Sequence, residues 1–146
     1  MSTFLLHVHG FLPYLFVILM LVTLAMGVSA LNAGRFTLQQ KLMARIVLIL
    51  AHVQLIFGLA VLFLGDSARG AFATGMSTIM KTPELRLKFV EHPSMMIIAI
   101  ALITIGFARA KRTTDSKAKN KNILIFYGIG FLLILSRIPY AAWFNL

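Results

Sequence analysis

Four stretches of the chain, residues 4–31, 46–65, 93–108 and 122–145, run with a single charged side chain among them, Arg137. About 20 apolar residues in a row, wound as a helix, match the ~30 Å hydrocarbon core of a bilayer. A helix suits that solvent because it satisfies its backbone hydrogen bonds internally. Composition agrees: 60% of the 146 residues are hydrophobic and 12% charged, where soluble domains run near half and a quarter. Four spans consume most of the length and leave no room for a separate soluble domain. The expectation is all-α: one integral membrane four-helix bundle over residues 1–146, with a short interfacial helix before the third span.

The first run could be mistaken for a cleaved signal peptide. It lacks a positive n-region, and His7 and His9 stand where one would lie, so it reads as a retained span. Pro13 should kink it, because proline removes one backbone bond. In the second connection Thr82-Pro83-Glu84 reads as a helix start, with Thr as cap and Pro first in the helix. In the third span Ala99 and Gly106 form a small-residue stripe for close helix packing.

The net charge of +10 belongs to the connections. The first holds Arg35, Lys41 and Arg45 without an acid. The third holds Arg109, Lys111, Arg112, Lys117, Lys119 and Lys121 against Asp115. The second is nearly balanced, with Arg69, Lys81, Arg86 and Lys88 against Asp66, Glu84 and Glu91. Cytoplasmic loops collect Lys and Arg, which puts both termini and the second connection outside. Membrane orientation thus accounts for the basic charge, and the expected partner is membrane lipid, with no nucleic acid.

The chain has no cysteine, which removes disulfides, thiolate metal sites, iron–sulfur clusters and thioether-linked haem. The strong metal ligands left are His7, His9, His52 and His92. Ionisable groups at a membrane span are costly, so they carry a functional hypothesis. Glu91-His92-Pro93 opens the third span. The charge-derived orientation puts His92, His7, His9 and Arg137 in one outer layer, with His52 roughly 18–20 Å deeper.

Haem b fits that layer, since two imidazoles from different helices can bind the two faces of one iron. His9 with His92 is the preferred pair and His52 with His92 the second choice. His7 is in reserve, because residues two apart on a helix face different ways. Arg137 would serve a propionate, and Glu91 would orient an imidazole or receive a proton. A histidine-bound zinc, copper or iron without porphyrin is the chemical rival, and a proton pathway through His52 is another. A non-redox structural or assembly subunit is the third alternative. Blander roles exist for each residue: interfacial histidines as amphipathic end groups, Arg137 snorkelling outward, Gln54 as helix glue, Met95 and Met96 as packing.

Leu6-His7-Val8-His9, Ala51-His52-Val53-Gln54-Leu55, Glu91-His92-Pro93 with Met95 to Ile100, and Ser136-Arg137-Ile138-Pro139 together resemble a family of small bacterial four-span proteins labelled "cytochrome B" by homology. That resemblance implies haem b and electron transfer, with His9, His52, Glu91, His92 and Arg137 as the positions to watch. The resulting expectation is an electron-transfer subunit of the bacterial inner membrane, rather than a stand-alone enzyme. Its partner would be a quinone or another redox membrane protein.

Overall fold

The computed structural model describes residues 2–144, and every regular element among them is helical. The long helices are α1 (Ser2–Ser29), α2 (Leu38–Leu64), α6 (His92–Arg112) and α7 (Ser116–Ser136). Three short ones lie between α2 and α6: α3 (Asp66–Ala73), α4 (Met76–Lys81) and α5 (Pro83–Arg86). One turn, α8 (Tyr140–Trp143), follows α7. Four helical segments are long and apolar enough to cross a membrane: Thr3–Ser29, Leu38–Leu64, Pro83–Arg112 and Ser116–Ser136. By length and hydropathy this is a multi-pass membrane protein.

The helices pack as two tight antiparallel pairs, α1 with α2 and α6 with α7. Looser seams join α2 to α6 and α1 to α7, so α1 and α6 stand diagonally across the bundle. The core between them holds Phe16, Met20, Val47, Ala51, Ala99, Ile103, Tyr127 and Phe131. The outside is apolar too, with Ile18, Ile49, Ile98 and Leu132 each more than half exposed. An exposed apolar belt on all four long helices is what lipid requires and water would penalise.

Small residues set the α6–α7 distance, as the Ala99–Gly106 stripe implies. A Cβ on Gly106 would run into Phe126 Cβ, and one on Gly130 would lie 3.0 Å from the Ala99 carbonyl oxygen. Buried polar groups pin the pairs together. The Tyr127 hydroxyl on α7 donates to Ala44 O on α2 at 2.6 Å. Asn120 Nδ2 donates to Gly27 O at 2.7 Å, and Gln40 Nε2 reaches Asn120 Oδ1 at 3.4 Å. Interhelical bonds of this kind average about 0.6 kcal/mol in membrane proteins. Their value here is register as much as stability.

Helices outrun the apolar stretches at several ends. Thr37 and Gln40 form a capping box that starts α2 at Leu38, well before residue 46. Asp115 accepts from Ala118 N at 3.0 Å and starts α7 at Ser116. The expected loop over 109–121 therefore shrinks to a short turn. Pro83 is first in α5, as read, but Thr82 does not cap with its side chain; its hydroxyl donates to Thr78 O instead.

The short helix expected from Thr82-Pro83-Glu84 is not separate from the third span. Residues 83–112 are continuously helical, with a π-helical segment at Leu87–Glu91. Pro93 gives the reason: it has no N–H and its ring crowds the carbonyl four residues back. One wider turn absorbs that clash, so His92 N donates to Leu87 O, five residues back. Helices α3 and α4 fold over this end, burying Ala68, Ala71, Ile79 and Phe89 in a second small core.

The fourth long helix stops at Ser136, short of residue 145, and Asn145 itself lies outside the described residues. Pro139 disfavours helical backbone at Ile138, and the chain turns before restarting as α8.

Candidate functional site

Two prolines and a helix end create the unpaired carbonyls around which the site forms. Pro13 cannot donate to His9 O, so an α1 carbonyl inside the membrane segment lacks its helical partner. Gln54 on α2 supplies it: Nε2 donates to His9 O at 2.8 Å and lies 2.9 Å from His9 Nδ1. On the other pair, the break before Pro139 leaves Arg137 at the C-terminus of α7 with a free carbonyl. His92 Nδ1 donates to it at 2.9 Å. The π turn ahead of Pro93 sets the direction from which His92 arrives.

These two bonds orient two imidazoles at one end of the bundle. The rings of His9 and His92 have centroids 6.3 Å apart and planes inclined at 78°. Each belongs to a different tight pair, and both are half-buried. The His9 ring occupies space that Gly58 leaves open, since a Cβ there would lie 2.9 Å from His9 Cε1. Gln54 and Gly58, four apart, share a face of α2. Trp143 closes the same end: its Nε1 donates to Gly10 O at 2.9 Å, and its ring packs 4.7 Å from that of Tyr14. This aromatic residue ties α8 to α1.

The hydrogen bonds assign the tautomers. Arg137 O can only accept, so His92 carries its proton on Nδ1 and offers the Nε2 lone pair. Gln54 Nε2 is held as a donor by His9 O, so His9 Nδ1 accepts and neutral His9 carries its proton on Nε2. The remaining amide oxygen, Gln54 Oε1, is buried with no hydrogen-bond partner among the described residues, an arrangement that costs about 1–3 kcal/mol.

Charge gathers beside His92. Arg86 Nε donates to Glu91 Oε1 at 2.8 Å, and Arg137 Nε stands 3.4 Å from Glu91 Oε2. Two guanidiniums share one carboxylate, leaving one positive charge over. Glu91 therefore does not orient an imidazole, contrary to the expectation from sequence. A carboxylate held between two arginines satisfies those stronger donors, and a backbone carbonyl takes the imidazole.

The structure thus brings together His9, His92, Glu91 and Arg137, and it adds Gln54, Gly58 and Arg86. It keeps two histidines away. His7 is exposed and bonds Thr3 O at 2.8 Å within its own helix. His52 is also exposed, with Nδ1 donating to Leu48 O at 2.8 Å and Nε2 3.5 Å from Thr104 Oγ1. Thr104 is about 18 Å further along α6 than His92 at 1.5 Å per residue, so His52 and His92 do not form a pair.

Gln54 was readable from sequence as glue only, yet its signal was present. Pro13 frees the carbonyl of His9, and some donor on a facing helix must answer it. Arg86 carried no comparable signal, because its approach to Glu91 depends on the π turn. Among the described residues, no group of three or more His, Asp or Glu side chains forms a metal cage. The chain is a four-helix membrane bundle with a histidine pair at one end. No protein-family model, curated protein or solved structure matches it significantly.

Proposed function

We propose that the protein binds haem b between His9 and His92 and acts as an electron-transfer subunit of a membrane. The observation that carries this reading is the convergence of two imidazoles from diagonal helices, 6.3 Å apart at one end of the bundle. Two imidazole nitrogens about 2.0–2.1 Å from one metal place their ring centres roughly 6 Å apart. Haem b needs no cysteine; His9 and His92 would hold it, and it would supply one-electron chemistry.

The donor set supports the reading at each position. His92 has the tautomer a ligand needs: Nδ1–H is held by a carbonyl, the usual outer partner of a metal-bound histidine. Gln54 Nε2 holds His9 at both its backbone oxygen and Nδ1; to ligate through Nε2, His9 would carry its proton on Nδ1. The extra positive charge of Arg86 and Arg137 over Glu91 suits a propionate. Each tight helix pair carries one complete half-site: His9, Gln54 and Gly58 on α1–α2, and His92 with Arg137 O on α6–α7. Haem held by the two half-sites would leave both tight pairs intact.

The excess of Lys and Arg at the opposite end supports a cytoplasmic side for that end, with the histidines near the outer leaflet. A quinone or another redox membrane protein would then exchange electrons at the outer face.

Gly58 provides a test that leaves the ligands in place. Gly58→Ala puts a methyl group against His9 and little else, so haem retained by the purified protein should fall about tenfold, a typical effect of disturbing a ligand's outer contacts. Gly10→Ala is the control, since a Cβ there meets nothing within 4 Å. Equal haem content in wild type and Gly58→Ala would count against His9 as a ligand.

A further inference from the structure

The opposite end of the bundle carries a second polar arrangement that the histidine site does not use. A cleft opens there where the α1–α2 turn, α2, α6 and α7 meet. Its floor is apolar, formed by Phe36, Phe107 and Ile123, and its rim carries Lys41, Lys111 and Lys119, one each from α2, α6 and α7. None of the three ammonium groups forms an ion pair among the described residues. The single nearby acid, Asp115, is turned to Ala118 N as a helix cap.

Three unpaired lysines of like charge repel one another. Converging on one cleft from three helices, they form a site for an anion. The apolar floor adds a second requirement, since a free phosphate would leave Phe36 and Phe107 facing nothing. We infer that this cleft binds one anionic phospholipid, with the phosphate among the lysines and the first part of an acyl chain over the phenylalanines. Basic pockets between membrane helices commonly hold acidic lipid headgroups. The cleft spans both tight helix pairs, so the bound lipid ties them at the end away from the histidines. It does not depend on haem.

The test uses the full-length protein in phosphatidylcholine nanodiscs titrated with phosphatidylglycerol, with retained lipid counted by native mass spectrometry. Wild type should keep one phosphatidylglycerol per chain. Each Lys→Gln change in the cleft should weaken retention roughly fivefold, following the usual gain per basic residue at an anionic surface. The triple variant Lys41→Gln, Lys111→Gln, Lys119→Gln should lose on the order of 100-fold. Arg112→Gln, Lys117→Gln, Lys121→Gln removes the same charge outside the cleft and should cost less than about fivefold. Single Lys111→Gln gives the reading even if the triple variant misfolds. Equal losses in the two triple variants would overturn the site in favour of general surface charge. Equal retention of phosphatidylcholine, or displacement of the lipid by millimolar glycerol 3-phosphate, would overturn the choice of ligand.

Discussion

His92→Ala should reduce the haem retained by the purified protein well over tenfold, with helix content by circular dichroism unchanged. Outer contacts of a metal-bound histidine are typically worth 10–100-fold in affinity, and this change removes the ligand itself. His92 is half-buried and, among the described residues, its side chain makes one hydrogen bond, to Arg137 O, so its loss should leave the α6–α7 packing in place. His9→Ala should be as severe, and the double variant scarcely worse than either, because two axial ligands act as one unit. If His92→Ala keeps full haem while His52→Ala loses it, the pairing proposed between the two half-sites is wrong. The spectrum of each variant, recorded on equal amounts of folded protein, gives the reading.

Gly106→Val should be the most destabilising single change in the bundle. A Cβ at residue 106 would collide with Phe126 Cβ and lie 3.2 Å from the Asn122 carbonyl oxygen. Neither atom is the far end of a flexible side chain, so the helices must separate. Overpacking a core typically costs about 1–3 kcal/mol, and here Gly130 against Ala99 O and Ile103 forbids compensating movement one turn away. The expected loss is at the upper end of that range, seen as a lowered unfolding midpoint in detergent. Gly128→Ala, on the facing helix α7 with no atom within 4 Å of the new Cβ, should leave the midpoint nearly unchanged. Equal midpoints for wild type and Gly106→Val would contradict the close α6–α7 contact.

The bundle was legible from hydropathy because lipid imposes a length and a composition on each span. Helix ends were less so. Hydropathy marks where a helix meets lipid, whereas the hydrogen-bond ladder continues into polar sequence until a cap stops it. Thr37 with Gln40 and Asp115 with Ala118 are such caps, and the first is a readable T-x-x-Q pattern. Convergence of His9, His92, Glu91 and Arg137 at one end followed from alternating helix direction alone. The partners did not. That Arg137 offers its backbone oxygen, while its side chain meets Glu91, depends on where Pro139 ends α7. That Gln54 faces His9 depends on which side of α2 packs on α1, which spacing within one span cannot reveal. His52, a candidate for a proton pathway or a second-choice ligand, is exposed on α2, and its Nε2 lies 3.5 Å from Thr104 Oγ1 on α6.

The most direct measurement is the visible spectrum of the wild-type protein, purified from haem-replete membranes and titrated further with haem. The account predicts one haem b per chain, with the reduced α band of a six-coordinate, two-histidine centre that His9→Ala and His92→Ala each abolish. A folded protein that stays colourless after purification and after titration would contradict it.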